Sequence, residues 1–271
     1  MGHAPPGRKR AIVKRLHIVG CPRSGTTLLM ELLATCFEHD GASAHESSIF
    51  EQCSGNHGLY ISKQPNDIRQ LQHVFYRDES LYIIYMSRDP RAVITSEHAA
   101  SPGQYFCNYR VWRECDSAAQ AYQDHPRFLQ LRYEDLVINP NQVQANITMY
   151  YPWLRQRHPF SQYQHFAQAS RAAQQAMHGV RPINTASLEK WRAHLPRLAE
   201  QYQRYPELPD ALVRLGYEPD TSWLNTLHNV QGITYPCRYP EQRETLKELE
   251  KRLRVYLKSR RYLQEMHDRP D

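Results

Sequence analysis

No segment of the 271-residue sequence approaches the ~18–20 consecutive apolar residues that a membrane-spanning helix requires. The first ten residues, Met1 to Arg10, are basic and proline-bearing with no apolar run behind them, which argues against a secretory signal. Gly2 follows Met1, but Pro6 stands where a myristoylation signature needs Ser or Thr. Cysteines are scattered: Cys21, Cys36, Cys53, Cys107, Cys115 and Cys237 include no C-x-x-C pair, so neither a zinc site nor a disulfide framework is expected. Asn146-Ile147-Thr148 fits a glycosylation acceptor, which without a leader is read as chance. No low-complexity block or internal repeat interrupts the chain. These absences predict a cytoplasmic globular protein with no metal.

What is present points to one large domain. Hydrophobic residues make up 41% of the chain and charged residues 23%, enough apolar surface for a sizeable core. The formal charge is +6, which favours anionic ligands: nucleotides, acidic glycans, a membrane surface or nucleic acid. Charge alone does not choose among them. The basic residues are dispersed and form no recognised nucleic-acid module, so a nucleic-acid partner is not expected.

Leu16 to Gly20 is a short apolar run ending in glycine, which reads as a buried strand. Leu28, Leu29, Leu32 and Leu33 then recur at helical spacing, predicting a helix from Thr26. A second strand is expected over Leu81–Met86, followed by a helix from Pro90 to about Ala100, and a third strand over Phe128–Leu131. Further helices are expected over 141–151, over 161–178 with Gly179 as its stop, and from Ser187 through Leu195 with Pro196 interrupting. Strands alternating with helices imply a parallel sheet covered on both faces. Leucines at helical spacing among the charges of 240–267 predict an amphipathic C-terminal helix. Its apolar face leaves open plain solvation, a homo-oligomer contact or a membrane-surface contact.

The loop Gly20-Cys21-Pro22-Arg23-Ser24-Gly25-Thr26-Thr27 lies between a strand and a helix. Such a loop offers successive backbone N–H groups and the positive end of the helix dipole to an anion. Gly25 permits close approach, Ser24, Thr26 and Thr27 supply hydroxyls, and Arg23 supplies a cation. The spacing G-x-x-x-x-G matches the NTPase P-loop, but Thr26 stands where that loop needs lysine, which weakens an ATPase or kinase reading. A second candidate anion site, Arg88-Asp89-Pro90 with Ser96 eight residues after Arg88, also begins at a strand end. Arginine presents a planar fork of donors suited to phosphate. Two anion sites suit a nucleotide bearing both a 5′ and a 3′ phosphate.

Residues 22–28, Pro-Arg-Ser-Gly-Thr-Thr-Leu, resemble the 5′-phosphosulfate loop of the sulfotransferase superfamily, and 88–96 resemble its 3′-phosphate motif. Tyr133-Glu134-Asp135-Leu136 is similar to a further family element, in which the tyrosine lies near the adenine and the acidic residues are structural. Lys63-Gln64-Pro65 resembles the Lys-Thr-Pro of bacterial members, with Gln in place of Thr. Residues from Arg181 to Tyr217 look like the C-terminal part of tyrosylprotein sulfotransferases and their bacterial relatives.

The resemblance implies an α/β, P-loop-like three-layer fold with a central parallel sheet and a helical C-terminal extension. It places a sulfotransferase domain at 12–225 and an extension, not an independent domain, at 226–271. It implies 3′-phosphoadenylyl sulfate (PAPS) as donor and adenosine 3′,5′-bisphosphate (PAP) as product. Arg23, Ser24, Gly25, Thr26, Thr27, Arg88, Ser96 and Tyr133 would bind that nucleotide. The acceptor would be a hydroxyl of a glycan, lipid-linked sugar or metabolite.

Sulfuryl transfer needs charge stabilisation and a base for the acceptor hydroxyl. Arg23 and Lys63 are the candidate charge stabilisers. Glu46 is the first candidate base by loose likeness to the tyrosylprotein enzymes, His45 the second, and Glu51 a third. His17, inside a strand, is expected to pack rather than react.

Overall fold

The computed structural model describes residues 14–44, 46–51, 58–98, 101–177, 179–242 and 245–268. Lys14–Gly20 forms β1, and Leu16, Ile18 and Val19 within it are fully buried, as expected of a strand covered on both faces. In chain order there follow α1 (Thr26–Cys36), β2 (Gly41–Ala42), β3 (Leu59–Lys63), β4 (Leu81–Ser87), α2 (Pro90–Ile94), β5 (Glu97–His98) and β6 (Ser101–Tyr105). Then come α3 (Tyr109–Gln120), β7 (Phe128–Arg132), α4 (Tyr133–Ile138), α5 (Pro140–Tyr150), α6 (Arg171–Met177), α7 (Leu195–Arg204), α8 (Leu208–Arg214) and α9 (Thr245–His267).

Five strands form a parallel sheet in the order β2-β3-β1-β4-β7, and β5 and β6 form a separate antiparallel pair. Alternation along the strands divides the interior in two. Val19, Ile83 and Tyr85 face a core completed by α2, α3, α7 and α8, whereas Leu16, Ile18, Ile84 and Met86 face one completed by α1, α4 and α5. This is the expected α/β arrangement of helix layers on both faces of a parallel sheet. The register sets Ile18 beside Lys63 and Gly20 beside Met86, so the carboxyl ends of β1, β3 and β4 reach one edge together. His17 packs as expected: it is fully buried, its Nδ1 lies 2.8 Å from Ser62 Oγ, and burial lowers its pKa despite Asp67 at 3.3 Å.

Some expectations are corrected. The helix from Pro90 ends at Ile94, because Thr95 turns its hydroxyl back to the Arg91 carbonyl (2.6 Å) and the Ser96 carbonyl accepts from Phe106 N–H (2.9 Å). Ser96 therefore stands beyond the helix rather than two turns into it, and Ala99 and Ala100 lie outside the described residues. The single helix expected over 161–178 is instead a 3-10 turn at Phe160–His165 followed by α6. Ser170 accepts from Ala173 N–H at 3.2 Å, which starts a new helix instead of continuing an old one. The expected stop at Gly179 holds, with φ 92°. The interruption at Pro196 is the boundary between a 3-10 turn at Lys190–His194 and α7, whose first turn the proline occupies.

The tail past α8 is fastened in two places. Residues 236–238 run beside β6, with Tyr105 N–H donating to Pro236 O (2.9 Å) and Arg238 N–H to Tyr105 O (2.9 Å). The C-terminal half of α9 docks through buried Tyr262, whose hydroxyl bonds with Asp78 and Arg15. Arg15 and Asp78 are themselves paired at 3.3 Å with side chains 7% and 2% exposed. Arg15 also donates to the carbonyls of Ile49 (3.1 Å) and Glu51 (2.9 Å). Among the described residues no helix is long and apolar enough to cross a membrane. Asp78→Ala strands a buried guanidinium, so urea denaturation should show a loss of about 3 kcal/mol. An unchanged midpoint would mean that the pair contributes nothing to the docking of α9.

Candidate functional site

The chain leaves β1 toward β2 and β3 on one side and leaves β4 toward β7 on the other. In open α/β sheets a crevice opens at such a reversal, at the carboxyl ends of the strands. Gly20 ends β1 there in a space with no room for a side chain: an added Cβ would lie 2.6 Å from Ser24 Oγ and 2.7 Å from Met86 O. The loop then turns through Arg23 (φ 75°) and Gly25 (φ 95°), both left-handed. A non-glycine residue held in that region at a crevice is backbone strain placed at a site. Gly25 caps α1, and a Cβ on it would fall 2.3 Å from Tyr133 Cδ2, so the Tyr133 ring closes directly over the loop. The first-turn N–H groups of α1 have no intrahelical acceptors and face this end of the sheet.

Above the loop lies a cleft of about 1100 Å³. Arg23, Gly25, Thr26, Thr27, Arg88, Ser96, Tyr133, Lys63 and Glu46 all line it. Ser24 does not: its hydroxyl turns inward, is fully buried and has no hydrogen-bond partner. His45 lies outside the described residues. Glu51 is exposed, accepts from Ser47 Oγ at 2.7 Å and does not line the cleft.

Arg88 donates to the Arg23 carbonyl (2.9 Å) and the Ser187 carbonyl (3.3 Å), and its guanidinium lies 4.1 Å from the centre of the Tyr133 ring. Arg23 donates through Nε to Ser96 Oγ at 2.8 Å. Neither guanidinium meets a carboxylate within 4 Å among the described residues. Burial first, and the charge of Arg88 second, lower the Arg23 pKa. Arg23 and Arg88 thus give this wall of the cleft a positive charge.

Lys63, at the end of β3, has a side chain only 10% exposed; it donates to Thr27 Oγ1 (3.1 Å) and pairs with Glu46 (3.3 Å), whose side chain is 52% exposed. Thr27 on α1, Lys63 on β3 and Glu46 in the connection between them thus form a chain of contacts along one wall. Glu31, which the sequence reading missed, lines the same cleft, and burial raises its pKa while Lys63 opposes the rise. Its place four residues after Thr27 on an expected helix was the available signal.

Tyr133 shares a hydrogen bond with Ser187 (2.8 Å), and Glu134 accepts from Asp89 N–H (3.0 Å), which fixes the turn into α2. Arg238 and Tyr239, carried in by the strand-like tail segment, also line the cleft. No local pattern near them announced this, because their position depends on pairing with β6.

A family model described as a sulfotransferase domain matches residues 14–207. No curated protein sequence matches the chain. Among solved structures, the chain is similar to the sulfotransferase domain from the curacin biosynthetic pathway, at 17% identity and a TM-score of 0.52, covering 76% of this chain and 98% of that one. It is also similar to the sulfotransferase domain of the Synechococcus PCC 7002 olefin synthase, at 18% identity and a TM-score of 0.47, covering 71% and 92%.

Gly25→Ala must strain the backbone and displace Tyr133, and should cost about 1–3 kcal/mol by chemical denaturation. Gly103→Ala is the matched control, because Gly103 is also left-handed (φ 79°) but has open space around it. Equal costs for the two would mean that the Tyr133 ring does not constrain the loop.

Proposed function

The chain belongs to the sulfotransferase domain family, and from that premise we propose that it moves a sulfuryl group from PAPS to a hydroxyl of a glycan or small-molecule acceptor, leaving PAP. The observation that carries the reading is the pair of arginines, Arg23 and Arg88, held by carbonyl and hydroxyl groups in place of carboxylates. An arginine neutralised by Asp or Glu is structural, whereas one left cationic in a half-buried cleft suits an anionic ligand. The site residues fit such a nucleotide. The strained loop and the start of α1 suit its 5′ phosphate, Arg88 and Ser96 its 3′ phosphate, and Tyr133 its adenine. Ser24, expected to bind the same phosphate, has a buried, unpartnered hydroxyl beneath the loop.

The donor supplies an already activated sulfuryl group, and the protein's part is to position, to stabilise charge and to accept a proton. Arg23 stabilises negative charge on the departing phosphate. Lys63, anchored by Thr27, offers an ammonium to the transferring group. Glu46 takes the acceptor's proton: Lys63 orients its carboxylate, and its half-exposed side chain lines the cleft. His45 beside it, and Glu31, whose pKa burial raises, are the alternative bases. On the same reading residues 226–271 are an extension of the domain, and the protein acts in the cytoplasm.

With labelled PAPS and a panel of glycans and hydroxylated small molecules, Glu46→Gln should cut turnover by about 10²–10⁴-fold while leaving PAP affinity within about twofold. Arg88→Ala should do the reverse, weakening PAP by about tenfold or more. Full turnover in Glu46→Gln would pass the base role to His45 or Glu31. Unchanged PAP affinity in Arg88→Ala would remove the second anion site.

A further inference from the structure

The N-terminal half of α9 takes no part in the cleft. Ser259, Tyr262, Leu263 and Met266 fasten the other half of the helix to the body. Before Ser259 the helix carries Leu246, Leu249, Leu253, Tyr256 and Leu257, each between 49% and 77% exposed. At about 100° per residue these five fall within about 100° of the helix circumference, one continuous apolar stripe. The docked residues project between about 70° (Leu263) and about 170° (Tyr262) from the centre of that stripe, so the stripe borders the docked face but is turned away from most of it. Apolar side chains aligned in this way mark an interaction surface rather than ordinary scatter.

Charge identifies what the surface fits. Residues 246–261 contain seven Lys and Arg against Glu248 and Glu250, a net +5 where the whole chain carries +6. Arg252 borders the stripe beside Tyr256, and Arg254 borders it beyond Leu257, with Arg261 next to it. Arg261 is 83% exposed while paired with Glu265 at 2.8 Å. Long basic arms on both flanks of an apolar stripe can spread to the level of phosphates while the stripe sinks below them.

We propose that this half of α9 lies on the surface of an anionic phospholipid bilayer, with the leucines among the acyl-chain boundary and the arginines on headgroup phosphates. A second copy of the chain is the poorer occupant. Pairing along the stripe would press two cationic helices together, with Glu250 the one acid beside Arg252 and Arg254, and Glu265 already paired with Arg261. The inference does not depend on the catalytic reading.

The test is co-sedimentation of the full chain with vesicles of phosphatidylcholine alone or mixed with phosphatidylglycerol. Binding to the anionic vesicles should be at least about tenfold tighter and should weaken as salt is raised. The double variants Leu249→Glu/Leu253→Glu and Arg252→Glu/Arg254→Glu should each lose it, with an unchanged thermal midpoint showing that the fold is intact. Equal binding to both vesicle types, or binding to neither, would overturn the proposal. So would a dimer in ultracentrifugation that the leucine variant dissolves.

Discussion

Arg88 holds the carbonyl of Arg23, and through that contact two like charges sit side by side at the mouth of a strained loop. The arrangement is unfavourable by itself: burial and mutual repulsion both act against the charged form of Arg23. It persists because rigid parts of the fold fix each participant. The β1–β4 register brings Gly20 beside Met86, and the Tyr133 ring closes over Gly25 and against Arg88. Ser96 holds Arg23 from beyond α2. Charges held in place by the fold in this way suit an anionic ligand without rearrangement of the site.

The two interior cores serve this geometry from opposite faces of the sheet. Apolar burial on each face fixes the strands, and the strands deliver Gly20, Lys63 and Arg88 to a single edge. Lys63 crosses to Thr27 on α1 and to Glu46, tying the start of α1 to the connection that leads into β3. On the proposed reading, donor binding and acceptor deprotonation fall to different walls of one cavity. That separation is why substitutions at Arg88 and at Glu46 are expected to have distinct kinetic signatures.

Local chemistry that is complete within a few residues was legible in the sequence. The apolar run ending at Gly20, the left-handed glycine before a helix, and an arginine at a strand end followed by proline all describe their own structure. What was not legible depends on contacts distant along the chain. β3 and α3 escaped notice because Leu59–Lys63 and Tyr109–Gln120 mix apolar and polar residues, and their burial is decided by neighbours in the sheet and in the core. The helix after Pro90 was drawn too long because its end comes from pairing between Ser96 and Phe106, not from a stop residue. Arg238 and Tyr239 reach the cleft only because the tail pairs with Tyr105, about 130 residues earlier. Glu31 was legible from helical periodicity, one turn after Thr27 on the same face of α1.

The central claim is that the cleft is shaped and charged for a nucleotide bearing phosphates at both its 5′ and 3′ positions. Titration calorimetry of the unmodified protein with PAP, against ADP and ATP–Mg²⁺ at matched ionic strength, tests it most directly. Preference for the bisphosphate is the predicted result, with about 2.7 kcal/mol of added stability when PAP stands at a hundred times its Kd. Equal or tighter binding of ATP–Mg²⁺ would contradict the account and return the loop to the kinase and NTPase class.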